Sequence, residues 1–243
     1  MEKSNKIYLV IIIICSVLVV GLCAYAIMNH KEIKETDAIK FKNEYESLNG
    51  YKNENSDKEY MKVEIDNENP IVYTTGQEIL DILKKENAIV YFGFASCPWC
   101  RNAVPILLDA AKEEGLDKIY YVDILNIRDQ YKFSESIEPE MIKKGTDAYY
   151  EILKFLDKKL EKYYVTDDSG NMYDTGVKRL YAPSVLAVKD GKALDLHVST
   201  LDSQEDPYTA LTDEQKKELK DIYKEMIKKV NDNNITCKQD EAC

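Results

Sequence analysis

The sequence predicts an α/β protein: a mixed sheet flanked by helices and carrying a helical insertion, behind a single N-terminal transmembrane helix. Three observations carry this reading. Ile7 to Met28 is an uncharged run of about 22 residues. The short apolar runs Ala88 to Phe94 and Ile119 to Ile124 flank a helical pattern, and strand–helix–strand alternation implies a parallel pair. Ser184 to Lys189 and Ala193 to Val198 are joined through Asp190-Gly191, a strong hairpin signal, and a helical stripe follows them.

At 1.5 Å per residue the N-terminal run reaches roughly 30 Å, the thickness of a hydrocarbon core. Lys3 and Lys6 favour keeping residues 1–6 in the cytoplasm, so residues 7–28 read as an anchor. Ala24-Tyr25-Ala26 has the small-x-small form of a processing site, and cleavage after Ala26 is the rival. A signal core normally runs about 7–15 residues, shorter than this one, which favours the anchor. Either way the remaining chain is expected outside the cytoplasm. Residues 29–60 are rich in Lys, Glu, Asn, Asp and Ser and read as a solvated, partly helical tether.

Residues 61–230 have the pattern of a folded domain. Ile71-Val72-Tyr73 is a short strand, and Thr75 with Glu78 forms a capping box for a helix whose apolar face is Ile79, Leu80 and Leu83. The near-continuous run from Ala88 suits a buried central strand. The helix after it ends at Glu114-Gly115, where glycine suits the C-cap. Thr212 with Gln215 opens the last helix, with Leu219, Ile222, Tyr223, Met226, Ile227 and Val230 on one stripe. Between the halves lies an insertion over about 126–176. Its clearest element is a helix from Thr146 to about Tyr164, and Asp167 to Gly176 reads as a polar turn. Residues 231–243 form a tail.

A net charge of −11 lacks the concentrated basic surface a nucleic-acid partner requires, so none is expected. The six cysteines fall into three pairs. Cys15 and Cys23 lie within the apolar run and read as small hydrophobes. Cys237 and Cys243 close the chain and read as a local disulfide, the alternative being a tail that exchanges with the third pair. The third pair, Cys97-Pro98-Trp99-Cys100, stands at a strand-to-helix junction. Pro98 suits the first helical position, and Cys97 is then the N-cap. The positive end of the helix dipole stabilises a thiolate there, and the thiolate is the attacking species. Cys100, one turn further in, is placed to resolve a mixed disulfide. A zinc site would need a second ligand pair, and the chain has only His30 and His197 besides its cysteines. No metal or cofactor is expected.

Phe94-Ala95-Ser96-Cys97-Pro98-Trp99-Cys100 resembles the active-site segment of thioredoxin-like oxidoreductases. Pro105 sits where that helix is kinked, and Tyr181-Ala182-Pro183 is similar to the family's cis-proline loop. Within the superfamily the anchor, the CPWC motif and Tyr-Ala-Pro-Ser followed by Asp-Gly-Lys look most like the bacteriocin transport accessory group of Gram-positive bacteria. The resemblance covers residues from about 60 to 230. It implies a thioredoxin-like sheet, catalysis by Cys97 and Cys100, redox tuning by Pro98 and Trp99, and substrate binding by Tyr181, Ala182 and Pro183. Exported polypeptides with thiols or disulfides are the expected substrates, and a membrane redox partner is expected beside them; the resemblance alone suggests disulfide-bearing bacteriocins.

The chain departs from the family pattern in three places. Pro183 lies 83 positions after Cys100, roughly twice the compact spacing, which the insertion accounts for. Tyr91 stands where thioredoxin buries an acid. Trp99 is neither the proline of reductants nor the histidine of strong oxidants, so the redox direction stays open. The alternative function is a tethered binding or chaperone module whose CxxC is a structural disulfide.

Overall fold

The computed structural model describes Tyr8 and residues 12–22, 35–53, 56–133, 138–167 and 169–231. Met1–Glu35 and Thr36–Cys243 are separate units. In the first, Tyr8 and residues 12–22 are helical and exposed. The rest of the expected anchor lies outside the described residues, and no helix among those described is long and apolar enough to cross a membrane. Cys237 and Cys243 also lie outside the described residues.

The second unit is mixed α/β. Its elements are α1 (Asp37–Glu46), β1 (Ile71–Tyr73), α2 (Gly76–Lys85), β2 (Ala88–Gly93), α3 (Pro98–Glu113) and β3 (Ile119–Asp123). An insertion follows, made of β4 (Gln130–Phe133), β5 (Pro139–Lys143), α4 (Asp147–Leu156), β6 (Lys162–Thr166) and β7 (Met172–Lys178). The chain then returns through β8 (Ser184–Lys189) and β9 (Lys192–Val198) to α5 (Asp213–Asn231). The central sheet has five strands in the order β1-β3-β2-β8-β9. β3 runs parallel to both β1 and β2, whereas β8 is antiparallel to β2 and β9. This is a mixed sheet flanked by helices, as the sequence predicts.

β2 lies at the centre, and every one of its residues is buried. Strand alternation sends its side chains to two cores. Ile89 and Tyr91 join the core that includes Val104 and Leu107 of α3 and Tyr223 of α5. Val90 and Phe92 join the core that includes Ile79 and Leu83 of α2 and Tyr149 and Ile152 of α4. The Thr75 capping box forms as the sequence predicts, with both reciprocal bonds present. Gly115 ends α3 at φ +64°, and Asp190 and Gly191 turn the β8–β9 hairpin at φ +51° and +69°. Two positive values in sequence match the twist of a tight hairpin.

The structure corrects two expectations. The segment expected as tether becomes part of the folded unit from Thr36 onward. Thr36 caps α1 by accepting from Ile39 N, and Phe41 and Tyr45 are fully buried. Asp37 accepts from Tyr73 N at 3.0 Å, covering a donor on the edge strand β1. Lys42 donates to Ile65 O at 2.6 Å while Glu46 accepts from Ile65 N at 2.8 Å, which staples α1 to the chain beyond it.

The insertion is also less helical than expected, with two hairpins around a ten-residue helix. α4 stops at Leu156, a 3-10 turn covers Asp157–Lys159, and Tyr163 belongs to a strand. Lys162–Thr166 alternates between exposed and half-buried, so period two overrides the coincidental helical spacing of Leu160 and Tyr163. Tyr131–Tyr163 and Phe133–Tyr173 ring contacts, at 5.5 and 4.8 Å, pack the hairpins together.

Candidate active site

β2 delivers the chain to the N-terminus of α3 through Phe94, Ala95 and Ser96. Cys97 is the N-cap, with extended backbone, and its Sγ accepts from Cys100 N at 3.3 Å. Pro98 takes the first turn, where a missing N–H leaves no acceptor unpaired. Cys97 is 5% exposed and Cys100 fully buried, and both are free thiols. A small opening onto Cys97 and none onto Cys100 makes the first sulfur the one a partner can reach.

The expected loop lies against this pair. The Ala182–Pro183 bond is cis, and the Cys97 thiol donates to Ala182 O at 3.4 Å. Ser199 N donates to Pro183 O at 2.8 Å and Ser184 Oγ to Tyr181 O at 2.7 Å, which fixes the loop. Tyr181 is half-buried and meets Tyr163 of the insertion edge-on at 6.0 Å. Trp99 is half-buried, packed against the core beside α3. Cys97, Pro98, Trp99, Cys100, Ala182 and Pro183 therefore share one end of the sheet, with Tyr181 leading into it from the insertion.

The two thiols have opposed acidities. Burial pushes Cys97 up, but bonds from the Cys100 thiol and from the Cys100 and Trp99 backbone N–H groups, with the Arg128 charge, outweigh it. Cys97 therefore sits below the ordinary cysteine range. Burial raises Cys100 well above that range, and its bond to Cys97 and the Cys97 charge add to the effect. One thiol is prepared to be a thiolate and its neighbour to hold a proton.

Several residues around the pair escaped the sequence reading. Arg128, on the loop after β3, lies over the Phe94 ring at 4.9 Å, and its buried Nε finds no acceptor among the described residues. Nearby Arg179 pairs with buried Asp129 at 3.2 Å. Arg101 follows Cys100 and is fully buried. Its guanidinium donates to Met61 O at 2.7 Å, Tyr45 O at 2.8 Å, Ala95 O at 3.3 Å and Asn49 Oδ1 at 2.6 Å. It thus ties the active end of α3 to α1. Tyr45 itself reaches Tyr91, with the hydroxyls 2.8 Å apart. Only Arg101 had a local signal, a charge directly after the CxxC. The others meet the site through tertiary folding. Among the described residues no cluster of three or more His, Cys, Asp or Glu is arranged to hold a metal.

No protein-family model matches the chain, and no curated protein matches it. Among solved structures, the thioredoxin of Plasmodium falciparum is similar at 16% identity, covering 55% of this chain and 88% of that one, with a TM-score of 0.30.

Proposed function

We propose that the chain is a membrane-tethered, extracytoplasmic thiol–disulfide oxidoreductase acting through Cys97 and Cys100. The observation that carries the reading is the split between the thiols: a slightly exposed, acidified Cys97 at a helix N-terminus, backed by a buried, protonated Cys100. Such a split supports directional exchange, since a low-pKa thiol attacks or leaves while its partner waits for the mixed disulfide. A purely structural disulfide would gain nothing from it.

In the reductive direction Cys97 thiolate attacks a substrate disulfide and one substrate sulfur leaves. Cys100 then attacks Cys97, closing the Cys97–Cys100 bond and releasing the second substrate thiol. The oxidative direction runs these steps backward. A net oxidation or reduction leaves the pair in the opposite oxidation state, which a redox partner at the membrane resets, whereas isomerisation returns the pair to its starting state. Ala182 offers backbone beside Cys97 to an extended exported polypeptide, and Tyr181 and Pro183 border that groove. The uncharged N-terminal run supports the tether, and exported substrates suit a compartment where disulfides persist. Disulfide-bearing bacteriocins are the substrates suggested by resemblance.

The test is trapping in the producing cell. Cys100→Ala should accumulate mixed disulfides between Cys97 and exported polypeptides, resolved by diagonal electrophoresis, whereas Cys97→Ala should accumulate none. Trapping by Cys97→Ala alone would reverse the roles. No trapping by either would favour the binding-module reading.

A further inference from the structure

Cys100 has to lose its proton to resolve a mixed disulfide, yet it is fully buried and its acidity is suppressed. Asp123, at the end of β3, does not reach it with any hydrogen bond, and its carboxylate instead accepts from Leu125 N at 2.8 Å. Besides Cys97, the titratable groups that interact with Cys100 are phenols. Tyr91 of β2 is fully buried in the same core as Cys100, and hydrogen bonding from its hydroxyl works to lower the Cys100 pKa that burial raises. Its hydroxyl is also 2.8 Å from that of Tyr45, equally buried and brought in by α1. The ring lies along the strand over Gly93, where a Cβ would collide with the Tyr91 hydroxyl. Tyr121 stacks on the same ring at 5.5 Å. The clearance at Gly93 and the bond to the α1 tyrosine together fix the Tyr91 hydroxyl within the core that holds Cys100.

We infer that Tyr91 is a catalytic residue for the resolving step, donating a hydrogen bond to the Cys100 thiolate, and that Tyr45 is a positioning residue acting through the Tyr91 hydroxyl. The inference rests on the oxidoreductase reading. Neither phenol gives up its proton. Burial, followed by the charges of Cys100, Tyr45 and Tyr121, keeps Tyr91 well above the ordinary tyrosine range, and burial does the same for Tyr45. Both are therefore donors, not bases. In the step concerned, the Cys100 proton passes to solvent and the thiolate attacks Cys97. The Cys97–substrate S–S bond breaks, the Cys97–Cys100 bond forms, and the substrate leaves as a thiolate. A donor to the thiolate favours the deprotonation that precedes attack, and a second phenol behind it strengthens that donor. Tyr91 can thus favour ionisation without an acid beside the cysteines.

Tyr223 of α5 provides a control. Its hydroxyl is also buried and feels the Cys100 charge, yet it has no hydrogen-bond partner among the described residues. The full-length, detergent-solubilised chain carrying Cys15→Ser, Cys23→Ser, Cys237→Ser and Cys243→Ser is reduced and mixed with dithiobis(nitrobenzoate). Aromatic thiolate then appears in a first phase from Cys97 attack and a second from Cys100 resolution. Tyr91→Phe should leave the first phase within about twofold while slowing the second about tenfold or more, the scale of one hydrogen bond to a charged group. It should also move the second phase's pH midpoint up by about one unit. Tyr45→Phe should shift the midpoint the same way by less, and Tyr223→Phe should leave both phases as in the parent. An unchanged second phase in Tyr91→Phe, or both phases slowed equally, overturns this inference alone. Absence of a Cys100-dependent second phase in the parent overturns the oxidoreductase reading and this inference with it.

Discussion

One helical turn separates Cys97 from Cys100, and their surroundings differ more than that distance suggests. Cys97 receives N–H groups from the first turn of α3 and the field of Arg128, while Cys100 receives the desolvation of the core. The consequence is kinetic. At about pH 6 iodoacetamide should modify Cys97 well before Cys100, because Cys97, lowered where Cys100 is raised, carries the larger thiolate fraction. The Cys97 rate should rise with pH through a midpoint below the free-cysteine value of about 8.5 and flatten above it. Peptide mass spectrometry of timed samples reads both rates, and equal labelling would contradict the assignment. Arg128→Met removes the charge but keeps much of the stem. Losing a cation that favours the thiolate should move the Cys97 midpoint upward, by roughly half a pH unit. An unchanged midpoint would leave Arg128 as packing against Phe94 alone.

At the scale of elements, α1 shows where the sequence was legible and where it was not. The strands β2, β8 and β9 and helices α2, α3 and α5 were readable because burial, capping and turn chemistry repeat the same message locally. Ala88 to Gly93 is buried throughout, Thr75 and Thr212 are bonded to their partners Glu78 and Gln215, and Asp190-Gly191 makes the turn. In α1 only Phe41 and Tyr45 face the core, and charged residues surround them, so its composition is that of a solvated linker. What holds it is long-range: Arg101 on Tyr45 O, Asn49 on Val63, and Glu46 on Ile65. The CxxC was legible for the same local reasons and the Ala182–Pro183 loop through its resemblance to a cis-proline loop, whereas Tyr45 and Arg128 come to the pair only in three dimensions. The packing of α1 is testable by Phe41→Ala. Truncating a fully buried phenylalanine should cost about 3–5 kcal/mol in urea unfolding, whereas a tether residue would change stability by no more than about 0.5 kcal/mol. Arg101→Met should cost about 3 kcal/mol or more, since it strands buried carbonyl groups at the active end of α3.

For the whole molecule, the insertion between β3 and β8 adds a wall of two hairpins and α4 beside the Ala182–Pro183 loop, joined to it through Tyr163 and Tyr181. The reading places this domain on the outer side of a membrane. In intact protoplasts, added protease should therefore degrade the chain from Thr36 onward while sparing cytoplasmic markers. Survival of the domain until the cells are lysed would refute the proposed topology. The most direct measurement of the central claim uses the full-length, detergent-solubilised chain to catalyse disulfide exchange in scrambled ribonuclease, with a glutathione buffer supplying either redox direction. The account predicts that the wild-type chain accelerates recovery of ribonuclease activity well above buffer, and that Cys97→Ser falls to the buffer rate. Acceleration that survives Cys97→Ser, or a wild-type rate no faster than buffer, would contradict it.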